Sequence, residues 1–123
     1  MEKNEKTTED YLEAMLMIKE KQGYIRSIDV AELLGVKKPS VTYATKRLKE
    51  KGYITMDTDS LITFTDSGLK IASQTYERHK LLTKVFKMLG VSEETAKKDA
   101  CRVEHDLSEE TYKALAKHVD NYS

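Results

Sequence analysis

The chain has 123 residues, and its 21 Lys and Arg balance its 21 Asp and Glu, so the formal net charge is zero. This length fits one compact domain, or one domain with a small appendage, and any binding to nucleic acid must depend on local charge. A single Cys excludes an intrachain disulfide, and no apolar stretch approaches membrane-spanning length, so we expect a cytoplasmic protein without a membrane partner.

Caps, breakers and apolar spacing predict a mainly helical chain. The first predicted helix runs from an N-cap at Thr7 or Thr8 to about residue 21, after six polar residues that we expect to fray. Ser27 caps a second helix, Gly35 ends it in the left-handed conformation, and Pro39 fits the first position of a third. From the second helix onward, the predicted helices lie at 28–34, 40–51, 66–89, 92–106 and 108–118. The two predicted strands, which form a hairpin, lie at 53–56 and 61–64.

Two short helices joined by a tight turn with Gly, and followed by a hairpin, are typical of a winged helix-turn-helix. The third helix is then the recognition helix, and the segment 37–51 holds six cations and one acid. Cations that meet phosphates, and polar side chains early in such a helix, favour DNA binding. The residues that we expect at DNA are Lys37, Lys38, Ser40, Thr42, Tyr43, Lys46 and Arg47. The hairpin carries Asp57 and Asp59, so the role of this wing stays open.

A thiol, a carboxylate and an imidazole lie close together near the C-terminus. Cys101, Glu104 and His105 are spaced i, i+3 and i+4, so on a water-facing helix they share one face. All three are good ligands for transition metals, although each alone has an ordinary role as a small hydrophobe, a surface acid or a histidine at a helix end. Three further candidate ligands, whose convergence the spacing cannot predict, are Asp10, Glu13 and His79.

In these residues the chain resembles the DtxR/MntR family of metal-dependent transcriptional repressors, which includes the diphtheria toxin repressor and the manganese transport regulator. The resemblance covers nearly all of the chain, and its most specific motifs are Arg78-His79 and Cys101-Arg102-Val103-Glu104-His105. Other matching segments are Thr8-Glu9-Asp10-Tyr11-Leu12-Glu13, Val30-Ala31-Glu32-Leu33-Leu34 and Leu61-Ile62-Thr63-Phe64-Thr65. The resemblance implies a homodimer that binds double-stranded operator DNA when it is loaded with a divalent metal.

The resemblance also implies a ligand set for the metal. Asp10 and Glu13 match the manganese regulator, whereas Cys101 matches the iron-type repressors. The ligands that match both types are His79, Glu104 and His105. The family therefore implies Fe²⁺ or Mn²⁺, with Co²⁺, Zn²⁺ or Ni²⁺ as substitutes, and the thiolate shifts our expectation slightly toward iron.

These observations predict one architecture and one function. The fold is mainly α, with a winged helix-turn-helix at 1–70 and a helical metal-binding and dimerisation domain at 71–123, without the SH3-like domain of the iron-type proteins. The expected function is repression of metal-uptake genes and not catalysis. The alternatives are a metal-independent winged-helix regulator unaffected by chelator, a small metalloenzyme that activates water, and a winged helix that binds protein and no DNA.

Overall fold

The computed structural model describes residues 3–122, with the side chains of residues 6–121, so the fraying expected of residues 1 and 2 lies outside it. Residues 3–6 are helical, which makes the predicted start at Thr7 or Thr8 wrong. The described elements are α1 (Lys3–Gln22), β1 (Ile25–Arg26), α2 (Ser27–Leu34), α3 (Lys38–Glu50), β2 (Ile54–Met56), β3 (Leu61–Phe64), α4 (Asp66–Met88), α5 (Glu93–Val103) and α6 (Glu109–Tyr122). The mainly α prediction is confirmed.

The chain divides into two compact units within α4, one ending at Ser73 and the other beginning at Gln74. The domain limits 1–70 and 71–123 stay predictions. Among the described residues, none of the helices has the length and apolar composition needed to cross a membrane.

The first unit is built on an apolar core shared by its helices and sheet. Leu12 and Met15 on α1 and Val30 on α2 are fully buried. Burial of each such side chain contributes about 1.5–3 kcal/mol to the stability of the fold. On α2 the side chain of Ile28 is 64% exposed, and Val30 takes the inward position. Burial also raises the pKa of the Tyr11 phenol, which therefore stays protonated at neutral pH.

The turn between α2 and α3 confirms the helix-turn-helix. Gly35 has φ 66°, and the N–H of Val36 donates to the carbonyl of Ala31 at 3.1 Å. Only a residue that tolerates this left-handed backbone ends the helix without strain. Two details were predicted wrongly: Ser27 is the first residue of α2 and makes no side-chain cap, and α3 begins at Lys38.

The wing belongs to a three-stranded sheet with the strand order β1-β3-β2, and both pairs are antiparallel. The hairpin of β2 and β3 is confirmed, but β1 was missed because two residues are too few to show alternation. At the wing tip, Asp57 Oδ1 accepts hydrogen bonds from the N–H groups of Asp59 and Leu61, at 2.9 and 3.0 Å. Ser60 between them is left-handed, with φ 63°. The tip is therefore a tight, internally bonded turn.

The first turn of α4 lies directly against the end of the loop before β2. Thr65 caps α4, since its Oγ1 accepts from the N–H of Gly68 at 3.2 Å and donates to the carbonyl of Gly52 at 2.6 Å. A Cβ at position 68 would overlap the carbonyl oxygen of Tyr53. Position 68 therefore requires glycine for close approach of the two backbones.

The second unit consists of the rest of α4 with α5 and α6. Ser92 caps α5 by accepting from the N–H of Thr95, and Ser108 accepts from the N–H of Thr111 at the start of α6. The sequence predicted helices that begin at these two serines, and serine is a favoured residue for capping a helix start. The fifth helix was predicted to reach residue 106 but ends at Val103, and residues 104–106 form a turn.

Candidate metal centre and DNA-binding face

A carboxylate and two imidazoles meet inside the second unit. Glu104 Oε2 lies 3.0 Å from His79 Nδ1, and Glu104 Oε1 lies 3.5 Å from His105 Nε2. The Glu104 side chain is 0% exposed, and those of His105 and His79 are 1% and 17% exposed. Position 79 on α4 and positions 104 and 105 after α5 thus supply one cluster of oxygen and nitrogen donors.

The burial of this cluster corrects one expectation from the sequence. We expected Glu104 and His105 on the water-facing side of a helix, but Glu104 is the C-cap of α5 and both side chains are buried. Cys101, one turn earlier, is exposed, and its Sγ lies within 4.8 Å of a Glu104 carboxylate oxygen. Because α5 ends at Val103, the chain turns inward after the cysteine.

A buried carboxylate is unfavourable unless a positive charge and hydrogen bonds compensate it. Glu104 Oε1 accepts no hydrogen bond from the described residues. His79 and His105 can each offer a lone pair to a cation when they are neutral, and the Cys101 thiolate adds a soft donor. The residues present therefore suit a divalent transition metal, for which this donor set is typical.

Arg78 holds the chain next to this cluster in place. Its Nη1 donates to the carbonyl of Leu107, and its Nη2 pairs with Glu109 Oε2 at 2.9 Å. Its guanidinium also stacks over the ring of Tyr112, 5.2 Å from the centroid. One side chain of α4 thereby ties the α5–α6 connection beside His79. Sequence reasoning missed this role, because the partners lie 29 and 31 residues away.

The other two predicted ligands lie in the first unit. Asp10 and Glu13 are on α1, one turn apart, and Asp10 is partly exposed whereas Glu13 is 6% exposed. Their union with the histidine cluster stays a prediction. His118, the third histidine of the chain, is exposed on α6.

A cleft of about 780 Å³ in the first unit lies along α3 and the wing. Three of the residues predicted at DNA line it, namely Lys38, Thr42 and Lys46. Its remaining lining residues are Arg26, Ser27, Ile28, Thr45, Lys49, Met56, Asp59, Ser60 and Leu61. Arg26 and Lys49 are two cations of this cleft that were not among the residues expected at DNA from the sequence.

The other predicted DNA contacts lie outside this cleft. Lys37, Ser40 and Tyr43 are exposed at and after the start of α3. Arg47 is half-buried, and its Nη1 donates to the Tyr43 hydroxyl at 3.3 Å while its guanidinium lies 5.8 Å from the ring centroid. Arg47 and Tyr43 therefore form a pair that presents one joint polar surface.

Known proteins with similar sequences match both halves of the chain. Residues 5–60 match the N-terminal DNA binding domain of the iron dependent repressor, and residues 65–123 match its metal binding and dimerisation domain. An HTH-type transcriptional regulator of Methanocaldococcus jannaschii is 38% identical over 110 residues, which are 87% of each chain. The transcriptional regulator MntR of Escherichia coli O157:H7 is 38% identical over 107 residues, which cover 87% of this chain and 69% of MntR.

Solved structures show the same fold. The metal-dependent transcriptional regulator MtsR superposes with a TM-score of 0.81 at 29% identity, over 92% of this chain and 53% of MtsR. A manganese-dependent transcriptional repressor in complex with manganese also gives 0.81, at 25% identity, over 92% of this chain and 52% of its own. The chain thus spans about half the length of these solved proteins.

A winged helix-turn-helix followed by a helical unit with clustered metal donors defines a class of metal-dependent DNA-binding regulators. The chain belongs to the iron-dependent repressor family, which is the DtxR/MntR family that the sequence motifs predicted. The members of this family are transcriptional regulators and not enzymes, which confirms the non-catalytic prediction. Their two domains bind DNA, and bind metal and dimerise, respectively.

Proposed function

We propose that this protein is a repressor that binds operator DNA as a homodimer when it is loaded with Fe²⁺ or Mn²⁺. The single observation that carries the proposal is the buried Glu104 carboxylate between the imidazoles of His79 and His105. Such a group favours a cation strongly, because burial removes the water that would otherwise stabilise its charge. The regulated genes are those of metal uptake, and the protein acts on the chromosome in the cytoplasm.

The proposed ligand set is larger than the observed cluster. His79, Glu104 and His105 supply nitrogen and oxygen, and Cys101 supplies sulfur. Asp10 and Glu13 of α1 complete the set. Hard carboxylate oxygens suit Mn²⁺, whereas the thiolate shifts preference toward Fe²⁺, with Co²⁺, Zn²⁺ and Ni²⁺ as substitutes. We favour Fe²⁺ for this reason.

The proposed mechanism is selection of one arrangement of the two units. A metal that takes ligands from α1 and from the second unit binds best to arrangements in which all ligands converge. It therefore raises the population of one arrangement from an ensemble, and by linkage DNA raises metal affinity equally. In a homodimer this selection fixes the spacing of the two α3 helices near one turn of DNA or a multiple of it.

The test is DNA binding titrated with metal. Duplexes are first selected from a random pool with the wild-type protein and Mn²⁺, and binding is then titrated separately with Mn²⁺, Fe²⁺, Co²⁺ and Zn²⁺ under anaerobic, reducing conditions. Glu104→Gln, which removes the charge and keeps the shape, should lose metal-stimulated binding. Glu110→Gln is the matched control, because this exposed acid lies outside the cluster. If neither chelator nor Glu104→Gln changes the affinity for DNA, the result would favour the metal-independent regulator.

A further inference from the structure

The cleft along α3 and the wing, which we propose binds DNA, is lined by one acidic side chain among several basic ones. Asp59 at the wing tip lines the same cleft as Lys46 and Lys49 of α3. Its side chain is exposed, and it forms no ion pair with any residue whose side chain the structure describes. A phosphate that enters this cleft therefore meets attraction from α3 and repulsion from the wing.

Hydrogen bonds within the wing hold the backbone that carries this charge. The neighbouring Asp57 uses Oδ1 to bind the N–H groups of Asp59 and Leu61, and Ser60 adopts the left-handed backbone with φ 63°. These hydrogen bonds hold the backbone of the turn, and therefore the Cα of Asp59, beside the cleft. Asp57 itself lines a different groove, on the β1 side of the sheet.

We propose that Asp59 limits the affinity that phosphate contacts give this protein for DNA of arbitrary sequence. Sequence-independent affinity comes from phosphate contacts, whereas the bases are read by side chains of the recognition helix. A negative charge close to the phosphates lowers the first contribution and leaves the contacts to the bases in place. Phosphate attraction alone then holds the protein less tightly on DNA, and a stable complex depends more on contacts to the bases. This inference rests on the proposed DNA-binding function.

The test compares two charge-neutralising substitutions in the same wing. Asp59→Asn removes the charge inside the cleft, and Asp57→Asn removes one outside it while its Oδ1 can still accept both backbone hydrogen bonds. Binding to a duplex of random sequence is measured over a range of salt concentrations, with equal thermal stability as the check on folding. We expect Asp59→Asn to bind this duplex about threefold more tightly at low salt, with a steeper salt dependence. Asp57→Asn should stay close to wild type.

Four results would overturn the inference. Equal effects of the two substitutions would show only the general charge of the wing. A loss of affinity of Asp59→Asn for the selected duplex, with random DNA unchanged, would show that Asp59 accepts a hydrogen bond from a base. Lys46→Ala distinguishes the role of Asp59 from DNA binding itself. If Lys46→Ala loses affinity for DNA while Asp59→Asn has no effect, only the role of Asp59 fails. If neither wild type nor Lys46→Ala binds DNA, the proposed function and the role of Asp59 both fail.

Discussion

Gly68 is a residue at which the first unit leaves no room for a side chain. An added methyl group would overlap the carbonyl oxygen of Tyr53, which already accepts a hydrogen bond from the N–H of Thr65 at 3.0 Å. The backbone of α4 must then move away from the loop before β2, and that loop is fixed by the Thr65 hydroxyl.

Gly68→Ala should therefore destabilise the protein although alanine is the better helix former. We expect a net loss of about 1–2 kcal/mol, since overpacking by about 2–3 kcal/mol exceeds the ~1 kcal/mol gained in helix propensity. Chemical unfolding monitored by circular dichroism measures the change. Lys70→Ala, an exposed position in the next turn, is the control and should be near neutral. Equal stability of Gly68→Ala and wild type would contradict the close approach.

At the scale of elements, α4 and the α5–α6 connection are joined by one side chain. Arg78 reaches a carbonyl, a carboxylate and an aromatic ring at once, and it lies next to the candidate ligand His79. A lysine has the charge but lacks the planar fork that makes these contacts together. These three contacts, which we call the Arg78 clamp, therefore require arginine and not merely a cation.

Arg78→Lys should weaken metal binding without touching a ligand. Groups that orient ligands typically contribute 10–100-fold to metal affinity, and we expect a loss of about that size. Isothermal titration with Mn²⁺ or Co²⁺ measures it. Lys84→Ala on the exposed side of the same helix is the control. Unchanged affinity in Arg78→Lys, together with unchanged stability, would mean that the turn after α5 keeps its shape without the clamp.

The elements themselves were largely predictable, because their signals are local. Gly35, Ser92 and Thr65 act at the helix ends where their chemistry favours them. The errors arose where the signal was short or distant. Two residues of β1 cannot show a period, and their pairing partner lies some 37 positions further along the chain, at Ile62 for Ile25.

The candidate site was predictable in its residue types but not in its geometry. The spacing of Cys101, Glu104 and His105 suggested one exposed helical face, yet the helix ends between the first and the second of them. No local sequence pattern predicts the burial of Glu104, because this burial depends on packing between helices that are far apart in sequence. For the same reason the role of Arg78 was invisible until its partners were placed.

For the whole molecule, metal should act as a stabiliser as well as a switch. Any ion that binds only the folded chain raises its stability, by about 2.7 kcal/mol when the free ion is at a hundred times its dissociation constant. Addition of Mn²⁺ or Co²⁺ should raise the midpoint of thermal unfolding, and chelator should reverse the rise. Glu104→Gln should show little of this effect, whereas Glu110→Gln should keep it. A midpoint that does not respond to any of the four metals would argue against the buried cluster as a metal centre.

The end of α5 has a consequence for local motion. The peptide dipoles of a helix place partial negative charge at its C-terminus, where Glu104 also buries a carboxylate. Two like contributions at one point make this turn prone to open unless a cation offsets them. The amides of Glu104 and Asp106, which donate to the carbonyls of Ala100 and Val103 at 3.0 Å, should then exchange hydrogen with solvent rapidly in metal-free protein and slowly in metal-loaded protein. The exchange rate of the Ala96 amide, at the other end of the same helix, should change far less. Metal binding would therefore stabilise the turn at the end of α5 and leave the start of the helix unchanged.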